Sequence, residues 1–378
     1  MCVDLGSPRC TICGSAPRVV TTRRLYFPMA RFEAALRSYV ARTKMSAHLG
    51  VLCDQMLDAR LPEICVTHIS SWGLPVPLPG YEDQRLYSWF EMAAGYLAAT
   101  RELAARGGPH HDLSNVWADP ESEIVQFFGF DNGYFHALLF PALFLAYDPE
   151  INLPRAFVVN EFYLLDGSKF STSRNHAVWG REFLAEHPAD HMRFFLSMTS
   201  PEVERTNFRL EAFRSAVTSE LGRWRRWLEE LASRVRTGFD MRAPEPGPFG
   251  PVEEALYGRV CALVAEAAAA YEARSFSPQR ATHALCELVR SAQRFGADAS
   301  HWLRAPTRRD EARTAVSLEL AAARALAIAA GPIMPEFSAR LWRLLGYPPG
   351  EHPVAWEDAP SFVPVGQPIG ALGEALAV

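Results

Sequence analysis

Asp166-Gly167 separates the apolar run Phe162-Tyr163-Leu164-Leu165 from Ser168-Lys169-Phe170-Ser171-Thr172-Ser173, and that dipeptide leaves the backbone few options. Both residues tolerate positive φ, which a two-residue turn between twisted antiparallel strands requires, so the spacing predicts a β-hairpin. Lys169 then falls at a strand end, facing solvent or ligand, and a hydroxyl-rich loop follows it. A lysine in that position can follow negative charge as it builds on a departing phosphate group. Taken alone, the same loop reads equally well as a solvated turn.

Upstream the pattern is α/β and downstream it turns helical. Arg85-Leu86-Tyr87-Ser88-Trp89-Phe90 reads as a strand running into a helix, on which Trp89, Met92 and Tyr96 share a face. That face is either a ligand pocket or a core stripe. From about Arg209 onward, Ala-rich runs such as 262–273 and 321–330, the latter closed by Gly331-Pro332, predict a helical bundle; residues 244–251 read as a linker or long loop within it. A chain of 378 residues with 49% hydrophobic content predicts two or three domains. Its net charge of −5 excludes a uniformly basic nucleic-acid binder and leaves such contacts to local patches.

Seven cysteines, at positions 2, 10, 13, 53, 65, 261 and 286, are too scattered for a secreted disulfide framework. Cys10-Thr11-Ile12-Cys13 is half a zinc knuckle, since two thiolates at this spacing share one tetrahedral ion, and Cys2 is the third candidate ligand. A metal-free turn is the alternative. The most apolar stretch, 134–147, is too short to span a bilayer and contains His136 and Pro141. With no signal peptide at the start, the expectation is a soluble cytoplasmic protein.

Several segments in order carry a resemblance: Trp72-Gly73-Leu74-Pro75-Val76-Pro77, Trp89-Phe90-Glu91-Met92-Ala93-Ala94-Gly95-Tyr96, Phe128-Gly129-Phe130-Asp131-Asn132-Gly133-Tyr134-Phe135-His136, Lys169-Phe170-Ser171-Thr172-Ser173, Asp190-His191-Met192-Arg193-Phe194-Phe195-Leu196 and Trp342-Arg343-Leu344-Leu345-Gly346. Their wording and spacing resemble the methionyl-tRNA synthetase family of class I aminoacyl-tRNA synthetases from about Cys10 to Gly346. The resemblance implies an α/β plus all-α fold: a partial Rossmann-like catalytic domain with a connective insert, then a bundle like the anticodon-binding domain. Its implied divisions are 1–80 for the insert with a partial zinc knuckle, 81–208 for the second catalytic half, and 209–378 for the bundle.

The resemblance also implies roles. Lys169, Ser171 and Ser173 form the catalytic loop; Asp131, Gly129 and Lys169 bind the nucleotide; Trp89, Met92, Tyr96 and His136 line the amino-acid pocket. Trp302 corresponds to an anticodon-stacking tryptophan, with a core position as the alternative. ATP with Mg2+ is the implied co-substrate and Zn2+ the implied metal. No His-rich phosphate-binding signature precedes these motifs. The nearest imitation, His48-Leu49-Gly50-Val51, reads as part of a helix. The first catalytic half is therefore expected from an upstream segment or a partner polypeptide.

Working positions depart from the family. Thr172 stands for a second lysine, His68 for an arginine, Asn160-Glu161 for a His-Gly pair, and Phe140 for a tryptophan, while Met92 and Ala93 replace a small residue and a proline. After Ala232-Ser233-Arg234 the family's asparagine is missing, and Arg223, Arg225 and Arg226 replace an Asn-rich stretch, either as phosphate contacts or as a solvated face. The resulting expectation is an adenylate-forming ligase that passes a small amino acid to an acceptor other than tRNA, such as a hydroxylamine, with weak tRNA binding. Two other readings are a non-catalytic tRNA-binding or regulatory module and a methionine-tRNA ligase with a misassigned gene start.

Overall fold

The computed structural model of the chain describes residues 8–10, 13–18, 21–107, 116–350 and 355–376. They divide into two compact units, one within Met1–Asn160 and the other within Glu161–Val378.

In the first unit, β1 (Tyr26–Pro28) pairs antiparallel with β2 (Glu63–Cys65), and between them lie α1 (Glu33–Arg42) and α2 (Ala47–Asp58). Helix α2 starts where a side chain can satisfy its free N–H groups: Ser46 Oγ accepts from the Leu49 N–H at 3.2 Å. His48 lies on this helix, as its sequence context predicts. β3 (Thr67–Ile69) and β4 (Gln84–Leu86) form a second antiparallel pair, and α3 (Ser88–Ala105) follows directly, which matches the strand-into-helix pattern. The third pair, β5 (Val125–Gly129) and β6 (Ala156–Asn160), is parallel, with Gln126 opposite Phe157. Its crossover contains a π-helical turn, Phe135–Leu139, and α4 (Phe140–Tyr147). Ala137 to Phe140 are fully buried, so the most apolar stretch of the sequence serves as the core of this unit.

In the second unit, β7 (Tyr163–Leu165) is the middle strand of three, antiparallel to β8 (Ser168–Lys169) and parallel to β9 (Thr206–Phe208). The connection to β9 carries α5 (Gly180–Glu186) and α6 (Ala189–Met198). Helices then take over, as the Ala-rich pattern predicts: α7 (Leu210–Ala216), α8 (Gly222–Phe239), α9 (Pro251–Tyr271), α10 (Pro278–Ala299), α11 (Arg309–Ala329) and α12 (Pro335–Leu344). Pro251 opens α9 at the end of the proline-rich segment, and Glu253 accepts from the Gly250 N–H at 3.0 Å. Helix α11 is buried on every side from Thr314 to Ala327, because its alanines let neighbouring helices approach closely. Trp224 and Trp227 of α8, both 0% exposed, complete that core with Phe194 and Phe337.

Candidate active site

Helix α3 presents Trp89, Met92 and Tyr96 along its first turns, and the π-helical turn presents His136. Three of these meet through Phe140, whose ring centroid lies 6.2 Å from Trp89, 6.2 Å from Tyr96 and 4.9 Å from His136. Trp89 stacks on Phe135 at 3.7 Å, Tyr96 meets His136 at a steep angle at 6.3 Å, and Phe128 lies flat against the imidazole at 4.2 Å. Met92 is 44% exposed and stays outside the buried cluster. A π-turn inserts one residue into helical spacing, which a 3.6-residue pattern does not reveal, and such turns recur at functional sites.

His136 is 5% exposed, and its Nδ1 lies 2.9 Å from Gln126 Oε1. Burial lowers its pKa to about 4, so the ring is neutral at neutral pH. Sequence reasoning missed Gln126, Phe128 and Phe135 as parts of this site. The available signal for Gln126 was a lone amide in the apolar run Val125-Gln126-Phe127-Phe128. Strand β5 ends at Gly129, and the exposed Asp131 follows in a 3₁₀ turn. A β-carbon at position 129 would stand 2.9 Å from Asp131 Oδ1, so the glycine lets the carboxylate fold back over the strand end.

The lysine loop lies in the second unit. Asp166 and Gly167 both take positive φ, 47° and 81°, and Leu164 faces Lys169 across the predicted two-residue hairpin. The Gly167 N–H donates to Asn207 Oδ1 at 2.8 Å, which ties the turn to β9. Lys169 Nζ sits 4.5 Å from the centroid of the Phe162 ring, and the Arg205 guanidinium lies 5.5 Å from the same ring. Beyond the lysine the loop closes on itself. Ser171 and His176 exchange two backbone hydrogen bonds of 2.9 Å, and Ser173 falls in the 3₁₀ turn between them. His176 Nε2 donates to the Leu165 carbonyl at 2.9 Å, anchoring the loop to β7.

In the bundle, Trp302 is half-buried against the core in a short 3₁₀ turn, with the His301 ring 5.6 Å away. Arg234 faces inward: its Nε donates to Glu319 Oε1 at 3.1 Å, and Trp227 Nε1 donates to Glu319 Oε2 at 3.1 Å. Glu319 is 0% exposed. Burial raises its pKa, and the Arg234 guanidinium opposes that rise. A groove of about 450 Å³ is lined by Arg234 itself together with Glu230, Ser233, Thr237 and Ser300.

At the other end of the chain, Cys10 and Cys13 are exposed on a tight turn closed by the Gly14 N–H on the Cys10 carbonyl at 2.9 Å. A hydrogen bond with the Ser15 hydroxyl lowers the Cys13 pKa to about 7, which favours the ligating thiolate. Cys2 lies outside the described residues. Two thiols suit a soft ion but fill half a tetrahedral shell, and among the described residues no group of three or more His, Cys, Asp or Glu converges on a metal position. No chemical step is therefore assigned to zinc.

The family model described as "tRNA synthetases class I (M)" matches residues 1–235. The methionine–tRNA ligase of Thermomicrobium roseum is 32% identical over 352 residues, covering 91% of this chain and 59% of its own length. That of Thermofilum pendens is 33% identical over 363 residues, covering 96% and 63%. The chain thus spans about six-tenths of the length of these relatives. Its fold is that of the Mycobacterium tuberculosis methionyl-tRNA synthetase solved in complex with methionyl-adenylate, with a TM-score of 0.81, 19% identity, and 97% of this chain and 72% of that chain covered. No helix among the described residues is long and apolar enough to cross a membrane. With the family model matched from residue 1 to residue 235, through the pocket and the lysine hairpin, the chain belongs to the methionyl-tRNA synthetase family of class I aminoacyl-tRNA synthetases.

Proposed function

We propose that this chain carries the amino-acid pocket and the lysine loop of an ATP-dependent amino-acid-activating ligase, and that it works with a further segment supplying the remaining nucleotide contacts. The aromatic pocket around His136 carries this reading. It has the character of a small-ligand site, with apolar walls and few polar groups, one of them an imidazole held neutral. In the first step a carboxylate oxygen of the amino acid attacks the α-phosphorus of ATP. The bond from that phosphorus to the bridging oxygen breaks, and pyrophosphate leaves with its Mg2+. Asp131 accepts hydrogen bonds from the ribose hydroxyls, and Lys169 leaves the Phe162 ring to neutralise the charge gathering on pyrophosphate. In the second step the acceptor's nucleophile attacks the acyl carbon, loses its proton and displaces AMP.

The acceptor in this reading is a small nucleophile such as a hydroxylamine. What supports it is Arg234, whose Nε and Nη2 are both taken up by the buried Glu319. Amino-acid-dependent exchange of pyrophosphate into ATP is the test. The chain alone should show negligible exchange. Supplying the missing contacts, fused or in trans, should bring it up, and Lys169→Ala should then reduce it by roughly 10²–10³. Exchange that is restored but indifferent to Lys169→Ala would remove the hairpin from the mechanism.

A further inference from the structure

Phe162, Lys169 and Arg205 come from three places in the second unit and meet at one ring. Lys169 pairs with Leu164 across the hairpin, and Leu164 lies two residues beyond Phe162, so the lysine and the phenylalanine stand on the same face of the sheet. On the other side of β7, Tyr163 faces Thr206, and the Thr206 N–H donates to the Phe162 carbonyl at 3.2 Å. That register sets Arg205, one residue before β9, beside Phe162, one residue before β7. Lys169 Nζ ends 4.5 Å from the ring centroid and the Arg205 guanidinium 5.5 Å from it. An aromatic face attracts each cation but cancels no charge, and the two cations repel one another. Both residues are exposed, and neither makes an ion pair with a carboxylate among the described residues. Glu202, in the same loop as Arg205, is turned instead to the Ser277 hydroxyl and the Gln279 N–H, at 2.6 and 2.8 Å.

We infer that Arg205 is a second cation for the leaving pyrophosphate, acting beside Lys169. This rests on the reading of the lysine hairpin given above. Pyrophosphate carries its charge on two phosphoryl groups, so a pair of cations meets both, where a single lysine leaves one to water. The planar guanidinium also offers paired N–H donors that match two oxygens of one phosphoryl group. Thr172 brings no charge to the loop, and Arg205 supplies one from the edge of β9. The shared ring gives both side chains a resting place that holds them near the site without a carboxylate, so no ion pair has to be broken before they turn to the phosphates. Arg205 makes and breaks no covalent bond in the step; it neutralises charge as the bond to the α-phosphorus opens.

The experiment is calorimetric titration of the full chain with inorganic pyrophosphate at low ionic strength and neutral pH. Wild type should bind, and Lys169→Ala and Arg205→Ala should each bind roughly fivefold more weakly, the upper range for one exposed ion pair. Arg205→Lys, which keeps the charge, should bind nearly as wild type does. Arg205→Gln, which keeps a long side chain beside Phe162 without the charge, should weaken binding as Arg205→Ala does. Arg209→Ala removes the same charge just beyond the other end of β9 and should leave binding unchanged. If Lys169→Ala weakens binding while Arg205→Ala and Arg205→Gln do not, Arg205 only covers Phe162; its assignment falls and the hairpin reading stands. An equal loss in Arg209→Ala also overturns the assignment, since net charge alone then sets the affinity. If wild type binds no pyrophosphate, or Lys169→Ala binds it as wild type does, the phosphate role of the hairpin falls and takes Arg205 with it.

Discussion

An imidazole that is 5% exposed and packed against aromatic rings resists protonation, and this makes His136 a source of pH-dependent stability. Its folded pKa of about 4 lies below the ordinary 6.5, so the unfolded chain binds the proton more readily than the folded one. The contribution is therefore complete above pH 6.5 and is lost as pH falls from 6.5 towards 4, to a total of up to about 3 kcal/mol. Urea unfolding of the first unit at pH 7 and pH 4.5 should show a larger loss for wild type than for His136→Gln. Parallel losses would mean that His136 protonates freely in the folded state. The sequence led to His136 through the family resemblance of the segment 128–136, whereas the lone amide at Gln126 in its apolar run had no partner that the sequence could name. Its meaning comes from a partner ten residues later, on a π-turn that spacing rules do not reveal.

At the scale of elements, legibility followed locality. The Asp166-Gly167 hairpin and the end of α11 just before Gly331-Pro332 are set by residues adjacent in sequence and were readable from them, whereas Pro251, read as the last residue of a linker, opens α9. What the alanine run did not disclose is that α11 carries a carboxylate, Glu319, into the middle of the bundle. That placement depends on α10 having no side chain at Gly296. A β-carbon there would stand 2.2 Å from Glu319 Oε2 and 2.7 Å from Arg234 Nη2. Both neighbours are confined, so the added methyl has to push apart two packed helices or the ion pair. Gly296→Ala should destabilise the bundle by about 1–3 kcal/mol, the range for overpacked cores. The readout is the denaturation midpoint of the second unit. A stabilised variant, as expected for Gly→Ala in an unobstructed helix, would show that α8 and α11 yield at that point.

For the molecule as a whole, charge and access decide whether the bundle reads RNA. Sequence-specific recognition of a single-stranded loop needs a stacking platform together with hydrogen-bonding groups for base edges, because stacking alone tolerates any base. Trp302 is half-buried against the bundle core, and Arg234 is engaged with Glu319. The arginine-rich turn of α8 is also partly neutralised. Arg225 pairs with Glu229 at 2.8 Å and Arg223 lies 4.0 Å from Glu220, while a net charge of −5 adds no long-range attraction for phosphates. Taken by themselves Arg223, Arg225 and Arg226 look like a basic patch, but acids that pair with two of them stand three and four residues away along the chain. Binding of methionine tRNA should therefore be weak, should weaken further with salt, and should differ little from that of an anticodon-swapped variant when compared by filter binding at physiological salt. A preference of a hundredfold or more, worth about 2.7 kcal/mol, would require base-edge contacts that Arg234 in its present position does not offer, and would return the chain to translation.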